Sequence, residues 1–349
     1  VIRVGIYGGR GYVARELARL IAVHPDAELA WWHSREAGTV EDVHRNLLGT
    51  QLQFIAGEGT PDADVVFLCT PVGVAMEVAP DLLRRGSKVV SMAADFRITD
   101  RSVFESIYGP HRSWELQKMA VYGIPELHRD AIRACDLVAN PGCFSTAAIL
   151  ALAPLVQMPN VDADHLVVDG ISGTSGAGAT LDRSVHHPEM CSTVIPYNVV
   201  GHRHTYEMEE QLSLVARRSV CVHFTSHYGP FSRGILATCH AFADPLPTRD
   251  DLLDLYDAFY AEQPFVIVNR LSGSPQAAWH YESYPSVLDV ASSNFCQIGM
   301  DVDPKRRRIV IFAAIDNMGK GACSAAVQNM NLMFRIDETA GISMRGLGI

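Results

Sequence analysis

A parallel α/β sheet domain followed by an α+β domain is the fold class this chain predicts. Three observations carry the prediction. Short apolar strands alternate with helical segments through the first part of the chain. After about residue 160, β-branched and aromatic strands follow one another with few helices between them. The length, 349 residues, suits about two domains.

The elements run in order. IRVGIY (2–7) reads as a buried strand, followed by a glycine turn and a helix from about Tyr12 to Ala22. AELAWWH (27–33), ADVVFLCTP (63–71), SKVVSMAADFR (87–97) and CDLVANPG (135–142) read as further strands, with a helix over 74–86 that stops at Gly86. Strand–helix alternation of this kind builds a parallel sheet. HLVVDGISG (165–173), CVHFTSHYG (221–229), RGILATCHAFA (233–243) and RRIVIFAAID (307–316) read as strands of an antiparallel sheet, with one clear helix at 250–263. The segment 321–336 returns to helical spacing and is expected to pack against the first domain.

Composition narrows the functional class. A net charge of −10 argues against nucleic acid or an anionic membrane as the main partner. No apolar run is long enough for a membrane span, and the first residues read as part of the fold. Eight cysteines are scattered without a CxxC pair, which points to free thiols in a reducing cytoplasm.

Tyr7-Gly8-Gly9-Arg10-Gly11-Tyr12-Val13-Ala14 follows a strand and opens a helix. Glycines there let backbone approach a pyrophosphate, and the helix start supplies amide donors. The second strand ends His33-Ser34-Arg35, with no acidic residue for a ribose 2′-hydroxyl. A hydroxyl and a guanidinium suit a 2′-phosphate, so NADPH/NADP is the expected cofactor, with Arg10 either on the phosphate or exposed.

The cysteine in VANPGCFSTAAILAL stands apart from the others. Cys143 follows Asn140-Pro141-Gly142 and leads an apolar helical run at the carboxyl end of a strand. A thiol there feels the positive end of the helix, which favours the thiolate, and the same amides can hold an oxyanion. Cys69, Cys135, Cys239 and Cys323 lie in apolar surroundings and read as structural. A thiolate acyl-transfer site needs a proton carrier, and the densest histidine cluster is Gly201-His202-Arg203-His204-Thr205. On a strand its two histidines would point the same way, as metal ligands do. Arg203 between them and the lack of a third ligand at zinc-like spacing weigh against a metal.

NPGCFSTA, GHRHTYEMEEQL, AADFRITD, YGIPELHRDAI and DNMGKGACSAAVQNMNLMF together resemble the N-acetyl-γ-glutamyl-phosphate reductase family, in family order from about residue 4 to 336. The resemblance implies a Rossmann-type NADP-binding domain at 1–145, completed by 318–349, and a catalytic and oligomerisation domain of the semialdehyde-dehydrogenase type at 146–317. It implies Cys143 as nucleophile, His204 as general acid/base and His202 on the substrate, with those two roles exchangeable. Arg97 and Arg233 would meet the substrate's carboxylate or phosphate, or else form structural ion pairs. Asn317, Lys320 and Gly321 would belong to the nicotinamide side. Arg10, Val13 and the Met92-Ala93 pair depart from the family pattern.

The SVHHPE stretch and the tail DETAGISMRGLGI resemble the lysine-biosynthetic branch, in which a small acidic carrier protein blocks the amino group of an aminoadipyl or glutamyl phosphate. NPGCFSTA is closer to the arginine type. The carrier-linked substrate is the expectation, with free N-acetyl-γ-glutamyl phosphate as the alternative and a homodimer or homotetramer as the assembly. Two other classes stay open: a non-catalytic NADP-binding paralogue, and thiol hydrolase or amidotransferase chemistry at the same Cys–His pair.

Overall fold

The computed structural model describes residues 1–57, 59–270 and 284–347. The chain divides into two units, each with its own sheet. Val1–Pro141 with Ala322–Ile342 forms the first, and Gly142–Gly321 with the residues after Ile342 forms the second. The boundary thus falls before Gly142, not after 145, because the helix that Cys143 opens is built into the core of the second unit. Of the C-terminal segment, residues 318–321 and those after Ile342 belong to the second unit, and 348–349 lie outside the described residues.

In the first unit the described strands are β1 (Ile2–Tyr7), β2 (Ala27–His33), β3 (Gly38–Thr39), β4 (Gln53–Ile55), β5 (Val65–Leu68), β6 (Lys88–Ser91), β7 (Val121–Tyr122) and β8 (Leu137–Ala139). They lie in the order β3-β4-β2-β1-β5-β6-β8-β7, parallel throughout except for β3 against β4. Val65–Leu68 and Leu137–Ala139 are wholly buried, as strands covered on both faces require. The helix Ser324–Met333 packs against the helices Pro125–Ala134 and Tyr12–Ile21 of this unit. Pro80 lies inside the helix Ala75–Arg84 and cannot donate to the Met76 carbonyl. Ser113 Oγ donates to that carbonyl instead, at 2.5 Å.

The second unit has the described strands β9 (Leu166–Ser172), β10 (Ile195–Tyr197), β11 (Val222–Tyr228), β12 (Ile235–Phe242), β13 (Val266–Val268), β14 (Cys296–Asp303) and β15 (Arg308–Ile315). Their order is β10-β11-β9-β12-β15-β14-β13. This sheet is mixed, which corrects the antiparallel expectation: β9 pairs β11 and β13 pairs β14 in parallel. Alternating burial along β9 and β12 shows one face covered and the other half-exposed.

The helix Cys143–Val156 lies against β12, β15 and the helices His204–Ala216 and Arg249–Tyr260. Every residue in it after Cys143 is buried, so it is covered all round and has no solvent stripe. Pro154 deprives the Leu150 carbonyl of its helical donor, and the Tyr260 hydroxyl supplies one at 2.6 Å. The Tyr256 hydroxyl donates to the next carbonyl, that of Ala151, at 2.5 Å.

Candidate active site

The strand-to-helix turn is held before Cys143 is reached. Asn140 donates from Nδ2 to the Ala322 carbonyl at 3.1 Å and accepts from Asn329 Nδ2 at 3.1 Å. Its backbone N–H donates to Ser91 of β6. Gly142 is the extended N-cap of the helix and, being glycine, gives the first turn no side-chain cap. Cys143 is therefore the first helical residue, where amides lack intrahelical acceptors and the positive end of the helix favours an anion.

Gly142 is needed for a close approach. A β-carbon there would lie 2.5 Å from His204 Nε2, so the imidazole occupies the space that any other residue would fill. His204 opens the helix His204–Ala216, and so the GHRH histidines do not share a strand face as the spacing alone suggested. His204 N donates to His202 Nδ1 at 3.1 Å. Nδ1 of His202 is thus an acceptor and its ring is neutral; burial lowers its pKa from 6.5 to about 4, helped by the charge of Arg203. Phe144 meets both imidazoles edge-on.

A cavity of about 560 Å³ is lined by Cys143, Phe144, His202, His204, Tyr197 and Tyr228. The two tyrosine rings stack 4.0 Å apart, and burial raises both hydroxyl pKa values. Arg203, Asp182 and Ser184 line the same cavity and are exposed. Cys143 alone of the eight cysteines is both part-exposed and at a helix start within this cavity. Burial raises the thiol pKa of Cys69, Cys135 and Cys239, and at Cys135 it outweighs the opposing charge of Lys88.

Glu207 was not legible as a site residue from the sequence. It lies one turn beyond His204, is buried, and accepts from the Gly142 N–H at 3.0 Å through Oε2. Its Oε1 lies 4.0 Å from His204 Nε2. The signal was the i,i+3 spacing in His204-Thr205-Tyr206-Glu207, which carries meaning only once that segment is read as a helix.

The other expected site residues are placed as follows. Gly321 abuts Cys143: a β-carbon on it would lie 2.9 Å from that of the cysteine. Asn317 is buried, donating to Ser175 Oγ at 2.9 Å and accepting from Gly234 N at 2.7 Å, so it ties two loops together. Lys320 is buried with its ammonium 5.6 Å from the Phe265 ring. Arg233 makes a two-point ion pair with the buried carboxylate of Asp316, at 2.8 and 3.3 Å. Arg97, in the first unit, is mostly buried and donates to the Met92 carbonyl at 2.6 Å. Neither Asn317, Lys320 nor Arg233 is among the described residues that line the Cys143 cavity.

The glycine loop also departs from expectation in its reasons. Gly8 has φ +101°, and a β-carbon on it would collide with the Cys69 carbonyl; one on Gly9 would lie 2.5 Å from Trp32 Nε1. These two glycines serve packing within the sheet. Gly11 faces open space at the start of the uncapped helix Tyr12–Ile21, where Val13 follows, and it leaves room for a phosphate. Arg10 donates to the buried Ser34 Oγ at 3.1 Å, pairs with Glu36 at 3.2 Å and lies over the Phe54 ring. Arg35 is exposed. This donor set suits a dinucleotide carrying a 2′-phosphate.

Known proteins agree with this architecture. Residues 3–135 match the family described as semialdehyde dehydrogenase, NAD binding domain, and residues 143–317 match semialdehyde dehydrogenase, dimerisation domain. The chain is 43% identical to an N-acetyl-gamma-glutamyl-phosphate reductase of Desulforudis audaxviator, over 99% of each chain. It belongs to the N-acetyl-γ-glutamyl-phosphate reductase family. Relatives of the same name from Symbiobacterium thermophilum, at 41%, and Methanocella arvoryzae, at 40%, cover 99% of the chain and 98% and 99% of their own lengths. Among solved structures, aspartate semialdehyde dehydrogenase II of Vibrio cholerae matches with a TM-score of 0.70 at 17% identity, over 96% of this chain and 98% of that one. An aspartate semialdehyde dehydrogenase from Candida albicans, solved with NADP, matches at 0.63 and 16%, with the same coverage. At such identities these two bear on the fold of this reductase-family chain and on nothing finer.

Proposed function

We propose that the chain reduces N-acetyl-γ-glutamyl phosphate to its semialdehyde, with release of phosphate and oxidation of NADPH. The observation that carries this reading is the Cys143–His204 pair in one cavity, with the thiol at a helix start. The names of the full-length relatives support the acetylated substrate.

The chemistry follows from the residues. The Cys143 thiolate attacks the acyl-phosphate carbonyl, and the amides of its first helical turn hold the oxyanion until the C–O bond to phosphate breaks. A thioester on Cys143 results. NADPH, when bound, supplies the hydride that the thioester carbonyl accepts. The resulting oxyanion re-forms a carbonyl as the C–S bond breaks, and His204 donates its proton to the departing sulfur. His202, neutral because its pKa is low, serves as a hydrogen-bonding group rather than a proton carrier at neutral pH. Arg203 at the cavity lining is the cation best placed for a substrate anion, ahead of Arg233, whose guanidinium is engaged by Asp316. Arg97 remains a second candidate. Gly11, Tyr12, Val13, Arg10, Ser34 and Arg35 would hold the dinucleotide's phosphates. The match of residues 143–317 to a dimerisation domain supports a homodimer or homotetramer.

A carrier-linked substrate is the second reading, and the observation favouring it is the exposed rim: Ser184 and Asp182 line the cavity while Arg183, His186 and His187 beside them face solvent. The test for both is phosphate-dependent reduction of NADP by the purified chain. Turnover with free N-acetylglutamate semialdehyde supports the acetylated substrate, turnover only with a carrier-linked semialdehyde supports the second, and no turnover with either rejects the reductase reading.

A further inference from the structure

The glycine turn between β1 and the helix Tyr12–Ile21 is held by a histidine from outside it. His44 Nε2 lies 2.9 Å from the Gly9 carbonyl oxygen. A carbonyl only accepts, so Nε2 carries the proton and the ring donates. His44 is buried, and burial lowers its pKa; the charges of Arg15 and Arg10 act in the same direction, against the Gly9 hydrogen bond. The ring is therefore neutral at pH 7, with its one N–H committed to Gly9. It also has little freedom to leave. It stacks on Trp32 at 5.2 Å and 13°, and meets the Phe54 ring edge-on at 6.1 Å. Trp32 and Phe54 are buried, lie opposite one another on the paired strands β2 and β4, and pack edge to face at 5.3 Å. The backbone of His44 is pinned as well: its N–H donates to the Val40 carbonyl at 2.8 Å, and its carbonyl accepts from Leu47 N at 2.9 Å.

Holding the Gly9 carbonyl fixes the next amide. The C=O of Gly9 and the N–H of Arg10 belong to one planar trans peptide and point in opposite directions across it. The His44 bond therefore turns the Arg10 N–H away from the imidazole, and among the described residues no acceptor takes the N–H of Arg10 or Gly11. The same ring cluster reaches the other end of Arg10. Its guanidinium lies 5.5 Å over the Phe54 ring, and its Nε donates to Ser34 Oγ at 3.1 Å. One residue is thus set at its amide through His44 and at its side chain through Phe54 and Ser34. We propose that His44 is a positioning residue for the cofactor: it aims the Arg10 amide at the dinucleotide's diphosphate, which NADPH and NADH share, while the Arg10 guanidinium answers only to the 2′-phosphate. The proposal rests on the placement of the dinucleotide's phosphates at the glycine loop given above. It separates affinity, set from His44, from coenzyme preference, set by the Arg10 side chain.

Binding to the full-length chain without substrate tests this apart from turnover. The Kd values of NADPH and NADH are measured by nucleotide fluorescence in wild type, His44→Phe, His44→Gln and Arg10→Ala. Phenylalanine keeps the ring stack and removes the donor, so His44→Phe is expected to weaken both nucleotides by about tenfold with their ratio unchanged. Its kcat at saturating NADPH is expected to stay within about twofold of wild type. Glutamine offers an amide N–H in place of Nε2, so His44→Gln is expected to bring both Kd values to within about threefold of wild type. Arg10→Ala is expected to weaken NADPH alone. Unchanged Kd values in a folded His44→Phe overturn the proposal, and so does a loss that His44→Gln shares in full, which marks a packing role. Where the phenylalanine variant does not fold, the imidazole ¹⁵N spectrum of wild type decides, with the His44 resonances assigned by their loss in His44→Gln. The Nε2–H tautomer supports the proposal, and the Nδ1–H tautomer overturns it. A wild type that binds neither nucleotide rejects the phosphate placement and the proposal with it, whereas a wild type that binds both, beside an unaltered His44→Phe, rejects the proposal alone.

Discussion

The role proposed for Cys143 rests on two local facts, the helix start it occupies and the imidazole that Gly142 admits beside it. Replacing sulfur by a less acidic nucleophile removes the first advantage. Cys143→Ser is therefore expected to lower kcat by about a thousandfold or more while NADPH binding, read by fluorescence titration, stays within about twofold. At the other end of the reaction, Arg10 is the cation nearest the buried Ser34 hydroxyl. Arg10→Ala is expected to raise the KM for NADPH by about tenfold and leave that for NADH nearly unchanged; equal effects on both would remove the arginine from 2′-phosphate recognition. The helix start at Cys143 was legible in the sequence because a turn of Asn-Pro-Gly before an apolar run has a direct structural meaning. The contact of Glu207 with that turn was not, because Gly142, which donates to it, lies 65 residues away along the chain. A structural ion pair was one of the two readings for Arg233, but nothing in its neighbours names Asp316 as the partner.

The helix Cys143–Val156 is the element on which the site is built, and it contains its own weak point. Pro154 leaves the Leu150 carbonyl to a tyrosine hydroxyl from another helix. Tyr260→Phe removes that donor in a buried place and is expected to cost about 1–3 kcal/mol, measured by urea unfolding. No loss would show that the carbonyl finds another donor. At the start of the same helix, Gly142→Ala must displace the His204 ring, so it is expected to cost turnover out of proportion to stability. The strands β1, β5, β9, β12 and β15 were readable because continuous or alternating apolar residues leave few other solutions. β14, CQIGMDVD, was not read, since Gly299 and three polar residues dilute its pattern. The helix His204–Ala216 was also missed: only five of its residues are buried, and the histidine cluster drew attention to metal-like spacing instead. The mixed character of the second sheet depends on which strands pair, and strand composition does not encode that directly.

At the scale of the whole molecule, buried imidazoles contribute to the response to acid. His202 titrates at about 4 when folded against an ordinary 6.5, and burial lowers His44 and His111 as well. Between those limits the unfolded chain binds protons that the folded chain refuses, so stability is full above about pH 6.5 and declines as pH falls toward 4. After discounting for partial exposure, His202 accounts for a loss on the order of 2 kcal/mol. His202→Asn keeps an acceptor for the His204 N–H and removes the titration, so its Tm is expected to fall less than that of wild type between pH 7 and 4.5. The two-unit architecture and the reaction class could be read from the chain because five separated motifs share one order, whereas the blocking group on the substrate could not, because it meets the protein at an exposed rim of mixed charge. The account as a whole depends on a covalent acyl group at one sulfur. Mixing the chain with N-acetyl-γ-glutamyl phosphate in the absence of NADPH, then quenching in acid for peptide mass spectrometry, tests this directly. The account expects one N-acetylglutamyl group on the Cys143 peptide with an equivalent of phosphate released, and neither in Cys143→Ser; phosphate release that is unchanged in the variant, with no adduct on Cys143, would contradict it.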